Sequence, residues 1–349
     1  MIDNKVIQTY IISVDKGQSP ERIDSFLTRL TSNATRNKVQ HAIDNGSVLV
    51  NNKMTKSNYK VRPFDEIQVT ILKPPPIELI AEDIPIEIIY EDDDLLIVNK
   101  PAGLVTHPGF GNRTGTLINA VLFHVGKSIL DAVSISYDED IKQDDSKELN
   151  GDVGNLPELR PGIVHRLDKD TTGIMVVAKN FQSLTNLAQQ FANRTIERRY
   201  WALAWGKFKL DEGMIEGNIA RSKSNRKLMA VTREDGKIAI THFKVLERFD
   251  YATLLELKLE TGRTHQIRVH TKHVGNPLFG DKDYGGDKPI IGISNKQKKK
   301  IIQMLDSINR QALHAKTLGF KHPRTKEYMS FNSDLPDDMK YLIEQLRLK

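Results

Sequence analysis

Apolar residues in the first seventy positions fall at helical spacing and then give way to short alternating runs. Ser19-Pro20-Glu21 places a polar cap ahead of proline in a first turn, and Ile23, Phe26, Leu27 and Leu30 then share one helical stripe. A second helix carries Val39, Ala42 and Ile43 on its buried side, with Thr35 or a neighbour as its cap and Asn45-Gly46 as its stop. Val48-Leu49-Val50, the turn Asn51-Asn52-Lys53 and the run from Asp65 to Ile71 read as strands. The pattern therefore predicts a helix-helix-strand module over residues 18–76. Lys73-Pro74-Pro75-Pro76 cannot continue a helix or join a central strand, so a stiff linker is expected around residues 77–85.

Residues 86–349 read as a second, larger domain richer in strands. Ile86–Tyr90 and Leu95–Asn99 flank an acidic turn and lead into the Pro/Gly loop Lys100-Pro101-Ala102-Gly103, which can bring backbone and Lys100 close to a ligand. Gly162-Ile163-Val164 and Ile174–Ala178 flank the polar stretch His165-Arg166-Leu167-Asp168-Lys169-Asp170-Thr171-Thr172-Gly173, read as strand, charged turn, strand. In Glu197–Gly206 alternation places Tyr200 on the opposite strand face from Trp201, and the runs 239–249 and 253–259 meet at Asp250-Tyr251. Thr261–His270 reads as a loop feeding a helix, with Thr264 as a cap, Gly275 as a stop and Pro277 beyond it. Lys296-Gln297-Lys298-Lys299-Lys300 opens an amphipathic helix with Ile301, Ile302, Leu305 and Ile308 on one side. An irregular stretch, 137–159, carries six acids against two lysines within 138–148 and reads as a solvated loop.

Composition narrows the possible chemistry. The 349 residues exceed what one core ordinarily organises, which agrees with two domains. Lys plus Arg exceeds Asp plus Glu by 51 to 45, and residues 1–76 carry +4 of that net +6, so anionic partners are favoured for the N-terminal module. The chain has no cysteine, which removes disulfides, thiolate metal sites and thiol nucleophiles. No signal pattern or membrane-length apolar run is found, so a soluble, cytoplasmic protein is the expectation.

The polar turn draws attention because a carboxylate, Asp168, stands between cations and faces a cleft rather than a core. Asp168-Lys169-Asp170-Thr171-Thr172 also fits the D-x-D-x-T pattern of Mg-dependent phosphohydrolases, with Gly280-Asp281-Lys282-Asp283 imitating a second acidic site. That motif ordinarily ends an apolar strand, which His165 and Arg166 interrupt here. A calcium loop is excluded because its twelfth position would be Lys179. His265, His270 and His273 lack the partner spacing of a zinc site, so no metal or other cofactor is expected.

Four segments carry a resemblance: VNKPAG ending at Gly103, HRLDKDTTG at 165–173, RRYWALAWG at 198–206 and GRTHQIRVH at 262–270. Their order resembles that of pseudouridine synthases of the RluA/RluD type, which isomerise uridines in large-subunit ribosomal RNA. Arg22-Ile23-Asp24-Ser25-Phe26-Leu27 and Gly46-Ser47-Val48-Leu49-Val50-Asn51 resemble the alpha-L, or S-four-type, RNA-binding domain. The resemblance implies an α+β architecture, a small RNA-binding domain joined to a curved, mainly antiparallel sheet with a central cleft. It implies Asp168 as a nucleophile, Arg268 as its ionic partner and Tyr200 as an active-site tyrosine that stacks on uracil and exchanges a proton. Arg166 matches the arginine assigned to the flipped nucleotide. His165, Lys100, Arg263 and His265 are candidate RNA contacts in the catalytic domain, and Arg36, Lys38 and Lys53 in the small one. The implied partner is ribosomal RNA, free or in precursor particles, acted on by a monomer. An RNA-binding assembly factor with secondary catalysis is the alternative.

Overall fold

The computed structural model describes residues 6–30, 36–73, 79–108, 112, 114–126, 129, 161–288 and 295–348. The acidic stretch 137–159, the prolines at 74–76 and Thr35 lie outside the described residues. The chain divides into two compact units, one containing residues 1–78 and the other 79–140 with 159–349.

In the N-terminal unit, helices α1 (Ile23–Leu30) and α2 (Arg36–Asp44) cover a four-stranded antiparallel sheet. Its strands are β1 (Val6–Ser13), β2 (Val48–Val50), β3 (Lys53–Met54) and β4 (Glu66–Lys73), in the order β1-β4-β2-β3. Ile23, Phe26 and Leu27 from α1 meet Val39 and Ile43 from α2 over Val48, Val50 and Ile67, giving one small apolar core. The stripe extends no further than this, since Leu30 is exposed. Strand β1 was not evident in the chain pattern; it pairs along the full length of β4, from Val6 opposite Lys73 to Ser13 opposite Glu66.

Asp24 ties the two helices together. It is completely buried and accepts hydrogen bonds from Arg22, Arg36 and Gln40, the last at 2.7 Å. The Arg22 contact is the principal reason its carboxyl lies far below the ordinary carboxylate range.

The larger unit is built on a ten-stranded sheet. Its members are β5 (Glu87–Glu91), β6 (Leu95–Lys100), β7 (Thr172–Ala178), β8 (Glu197–Trp205), β9 (Glu212–Arg221), β10 (Met229–Thr232), β11 (Lys237–Arg248), β12 (Ala252–Leu259), β13 (Leu313–Lys321) and β14 (Tyr328–Asn332). The order is β10-β9-β11-β12-β8-β13-β7-β6-β5, with β14 beside β13. All these pairings are antiparallel except β13 with β7, which run parallel where His314 and Ala315 meet Thr172 and Gly173.

The continuous apolar runs of β6 and β7 follow from burial on both faces. Leu96, Val98, Met175 and Val177 pack with Leu117, Ile118 and Val121 of α3 (Leu117–Val125). Leu95, Ile97, Ile174 and Val176 pack instead with Leu184 and Leu187 of α4 (Phe181–Ala192). Alternation along β8 behaves as its pattern suggests: Tyr200 enters the first of these cores, whereas Trp201 packs against another, formed with α6 (Asn295–Ser307) and α7 (Asp337–Arg347). On α6 the buried side is Ile301 and Met304, with Ile308 buried just past its end, and Ile302 faces outward.

Two local expectations are corrected. Gly162-Ile163-Val164 forms a single bridge from Ile163 to Val177 rather than a strand, on the edge of β7 that β13, paired only at Thr172 and Gly173, leaves open. The residue capping α5 (Gln266–His273) is His265, not Thr264, and His265 makes no side-chain cap bond.

Candidate active site

The turn after Leu167 is held by its own backbone and by three separate segments. The Thr171 N–H donates to the Asp168 carbonyl at 3.0 Å, closing the turn just before β7 begins. Lys100, at the end of β6, is fully buried and donates to the carbonyls of Pro101, Leu104 and Lys169, each at 2.9 Å. Its three N–H groups are therefore all used in joining the Pro/Gly loop to the turn. Burial pulls its pKa down to about 8, against the opposing effect of Asp168 and Asp170. Thr106 donates to the Leu167 carbonyl at 3.0 Å, and Arg310 and Gln311 reach the Asp170 carbonyl and the Thr171 hydroxyl. Gly173 lets β7 approach β13: at φ +115° a Cβ there would lie 2.3 Å from the Ala315 carbonyl oxygen.

This framework turns Asp168 into a cleft of about 440 Å³ lined in part by Thr106, Arg166, His265, Arg268 and Arg310. The Asp168 side chain is 20% exposed, and Arg268 Nη1 donates to its Oδ2 at 3.4 Å. Nε2 of His265 lies 4.0 Å from Oδ1. Burial alone would raise the Asp168 pKa, but the neighbouring His265, Arg268 and Arg166 outweigh it and hold the carboxyl below its ordinary value. The cleft thus presents an ionised carboxylate at neutral pH.

Arg268 sits in the first turn of α5 and reaches the cleft almost wholly buried. Burial opposes its charge, yet Asp281 receives its Nε and Nη2 at 2.7 and 2.8 Å, Asp283 receives Nη2 at 2.8 Å, and its affinity for the proton rises. Tyr200 is 7% exposed; burial foremost, with Asp168 contributing, raises its pKa and keeps it protonated.

The other predicted contacts separate into groups. Arg166 is exposed on the cleft wall, and His265 also lines it. His165 does not present a polar atom to the cleft: its Nε2 accepts the Val176 N–H at 3.0 Å, and its ring stacks on Phe191 at 4.8 Å. Lys100 is committed to the three carbonyls. Arg263 is half-buried and donates to the Ile238 carbonyl at 3.2 Å. In the N-terminal unit Arg36 is 52% exposed while bound to Asp24, Lys53 is exposed on the β2–β3 hairpin, and the side chain of Lys38 lies outside the described residues. Asp281 and Asp283 are not among the site residues read from the sequence. Their only signal was the acidic Gly280–Asp283 run, and the partner that gives it meaning lies on another segment.

The sequence model of a family described as RNA pseudouridylate synthase matches residues 94–273, which include every cleft group just described up to α5. A relative in Chlorobaculum parvum, named an uncharacterised RNA pseudouridine synthase, is 48% identical, with 96% of this chain and 97% of the relative covered. The chain belongs to the RNA pseudouridylate synthase family. The ribosomal large subunit pseudouridine synthase D of Vibrio vulnificus is 40% identical, with 96% of this chain and 94% of the relative covered. The S4 domain model matches residues 21–67. A solved human protein, RNA Pseudouridylate Synthase Domain Containing 4, shares the fold at a TM-score of 0.54 and 24% identity, covering 75% of this chain and 94% of its own.

Family membership agrees with the failure of the phosphohydrolase alternative. A magnesium site would need free carboxylates, but Asp168 faces cations and Asp281 is engaged on both oxygens by Arg268. Asp92, Asp94 and His322 form the one group close enough to share an ion among the described residues. His322 Nδ1 accepts two backbone N–H groups, leaving Nε2–H for Asp92, while Arg324 holds Asp94 at 2.6 Å. The group is satisfied within the protein. No helix among the described residues is long and apolar enough to cross a membrane.

Proposed function

We propose that this RNA pseudouridine synthase acts on large-subunit ribosomal RNA, with Asp168 as its nucleophile. The observation that carries the reading is the Asp168 carboxylate, ionised and partly exposed, facing Arg268 at 3.4 Å in a cleft. The reaction breaks the bond from ribose C1′ to uracil N1, joins C1′ to C5, and moves the C5 proton so that N1 ends protonated. No atom is lost and no electron is supplied. A carboxylate divides that rearrangement into easier steps, and its depressed pKa keeps it available at neutral pH. Arg268 holds the carboxylate's direction, and Tyr200 contributes an apolar ring with a protonated hydroxyl close to the same charge.

A uridine must leave its stack to reach this cleft, which costs a few kcal/mol. The exposed guanidinium of Arg166 on the cleft wall is placed to stack on or hold the displaced nucleotide. In the S4 domain, Arg36 and Lys53 carry exposed charge suited to phosphates. Relatives named for the large ribosomal subunit favour that RNA as substrate. The protein is read as a cytoplasmic monomer working without a cofactor.

The test is Asp168→Ala expressed in a strain lacking the gene, with pseudouridine mapped on its total RNA. The expected outcome is loss of specific positions while folding and RNA binding persist. Restoration of those positions by the variant would sink the nucleophile assignment.

A further inference from the structure

Arg268 and His265 approach Asp168 from neighbouring positions, and both are held by one segment, Gly280–Tyr284. Asp281 binds Nε and Nη2 of Arg268 together, and Asp283 takes Nη2 as well. This leaves Nη1 for Asp168 Oδ2. The guanidinium also lies over the Tyr284 ring, 4.9 Å from its centre.

Tyr284 is buried, and its hydroxyl accepts the Met229 N–H at 3.0 Å while lying 2.8 Å from His265 Nδ1. A hydroxyl already accepting on one side has its own proton to give on the other. When that proton is given to Nδ1, the ring hydrogen of a neutral His265 resides on Nε2, the atom facing Asp168 Oδ1. The left-handed backbone of His265, φ 54°, is part of the same arrangement, because it sets the ring's direction at the start of α5.

We propose that Asp281 and Tyr284 are positioning residues for the reaction: Asp281 aims Arg268 Nη1, Tyr284 selects the Nε2–H form of His265, and each Asp168 oxygen thereby faces one donor. The proposal rests on the nucleophile reading above. Its chemical sense lies in the distances, 3.4 and 4.0 Å, which orient the carboxylate without clamping it. Because Arg268 divides its hydrogen bonds among three carboxylates, Asp168 keeps the freedom to attack.

Tyr284→Phe removes the hydroxyl and preserves the ring beneath Arg268. With RNA extracted from a strain lacking the gene, single-turnover kcat is expected to fall on the order of a hundredfold, with the half-saturating RNA concentration within about twofold of wild type. In a His265→Asn background, where asparagine tolerates the left-handed backbone, adding Tyr284→Phe should change kcat by less than about twofold. The loss of a partner for Met229 lowers Tm in both backgrounds and so does not imitate this coupling. Asp281→Asn should lower kcat and shift the acidic limb of the pH–rate profile downward, as the freed guanidinium turns toward Asp168. Wild-type kcat in Tyr284→Phe, equal loss in both backgrounds, or an unmoved acidic limb in Asp281→Asn would overturn the proposal. Asp168→Ala in the same assay separates the two claims: activity there defeats the nucleophile reading, whereas its inactivity beside a fully active Tyr284→Phe defeats only the positioning role.

Discussion

Gly173→Ala offers a test of how the fold places the nucleophile, because the clash is with backbone and has no flexible end to move aside. At φ +115° the added Cβ would lie 2.3 Å from the Ala315 oxygen, 2.6 Å from its nitrogen and 2.8 Å from its carbonyl carbon. Ordinary contact begins at 3.4 Å, so β7 and β13 must separate by about 1 Å at the parallel pairing beside the Asp168 turn. Overpacking of this kind costs about 1–3 kcal/mol. The left-handed backbone adds about 1–2 kcal/mol for an L side chain. Together they correspond to a Tm lower by roughly 4–20 °C for a domain of this size. A displacement near 1 Å at the turn should also reduce single-turnover kcat on the order of a hundredfold. Calorimetry and single-turnover pseudouridine formation measure the two effects. Gly115→Ala is the control, with φ +68° and nothing within 4 Å of its Cβ, so it carries only the backbone cost. A Gly173→Ala protein with the Tm of that control and wild-type kcat would refute the claim that this close approach positions Asp168.

Three further outcomes are expected. Burial foremost depresses the histidine pKa values, to about 3 for His165 and about 4 for His270 and His314. The unfolded chain then binds more protons between those values and about 6.5, so their stabilisation is full above pH 6.5 and declines as pH falls; urea midpoints that stay level from pH 7 to 4.5 would contradict this. Since the charges around Asp168 lower its pKa despite burial, its active form should persist below the ordinary carboxylate range and be lost only as pH falls through the lowered value, read from single-turnover rates on RNA shown to stay folded. Lys53→Ala should weaken RNA binding about equally across sequences and reduce the salt slope by about 0.7–0.9, measured by filter binding across a salt series; an unchanged slope would remove Lys53 from the phosphate contacts.

Local pattern carried much of the fold. The stripe Ile23, Phe26, Leu27 announces a packed helix, and the unbroken apolar runs of β6 and β7 announce strands covered on both faces. Strand β1 was not legible, because its fitness as a strand depends on β4, sixty residues away. His165 could be read from the sequence either as an RNA contact or as a residue shaping the turn. The Val176 N–H and the Phe191 ring, supplied by β7 and α4, hold it in the protein framework.

The sequence by itself determined the chemistry available: a carboxylate in a polar turn, an arginine near a helix start, a tyrosine on a strand, and no thiol. Those are properties of residue type and short-range spacing, and they suffice to point to a family. Only the tertiary structure decided which charges meet. Asp281 could be read as a magnesium ligand until Arg268 was found on both its oxygens, and His265 had no defined proton position until Tyr284 stood beside it. The physical reason is range. Secondary-structure propensity acts over a few residues, whereas hydrogen bonds and ion pairs are decided by a few ångströms in space between groups far apart along the chain.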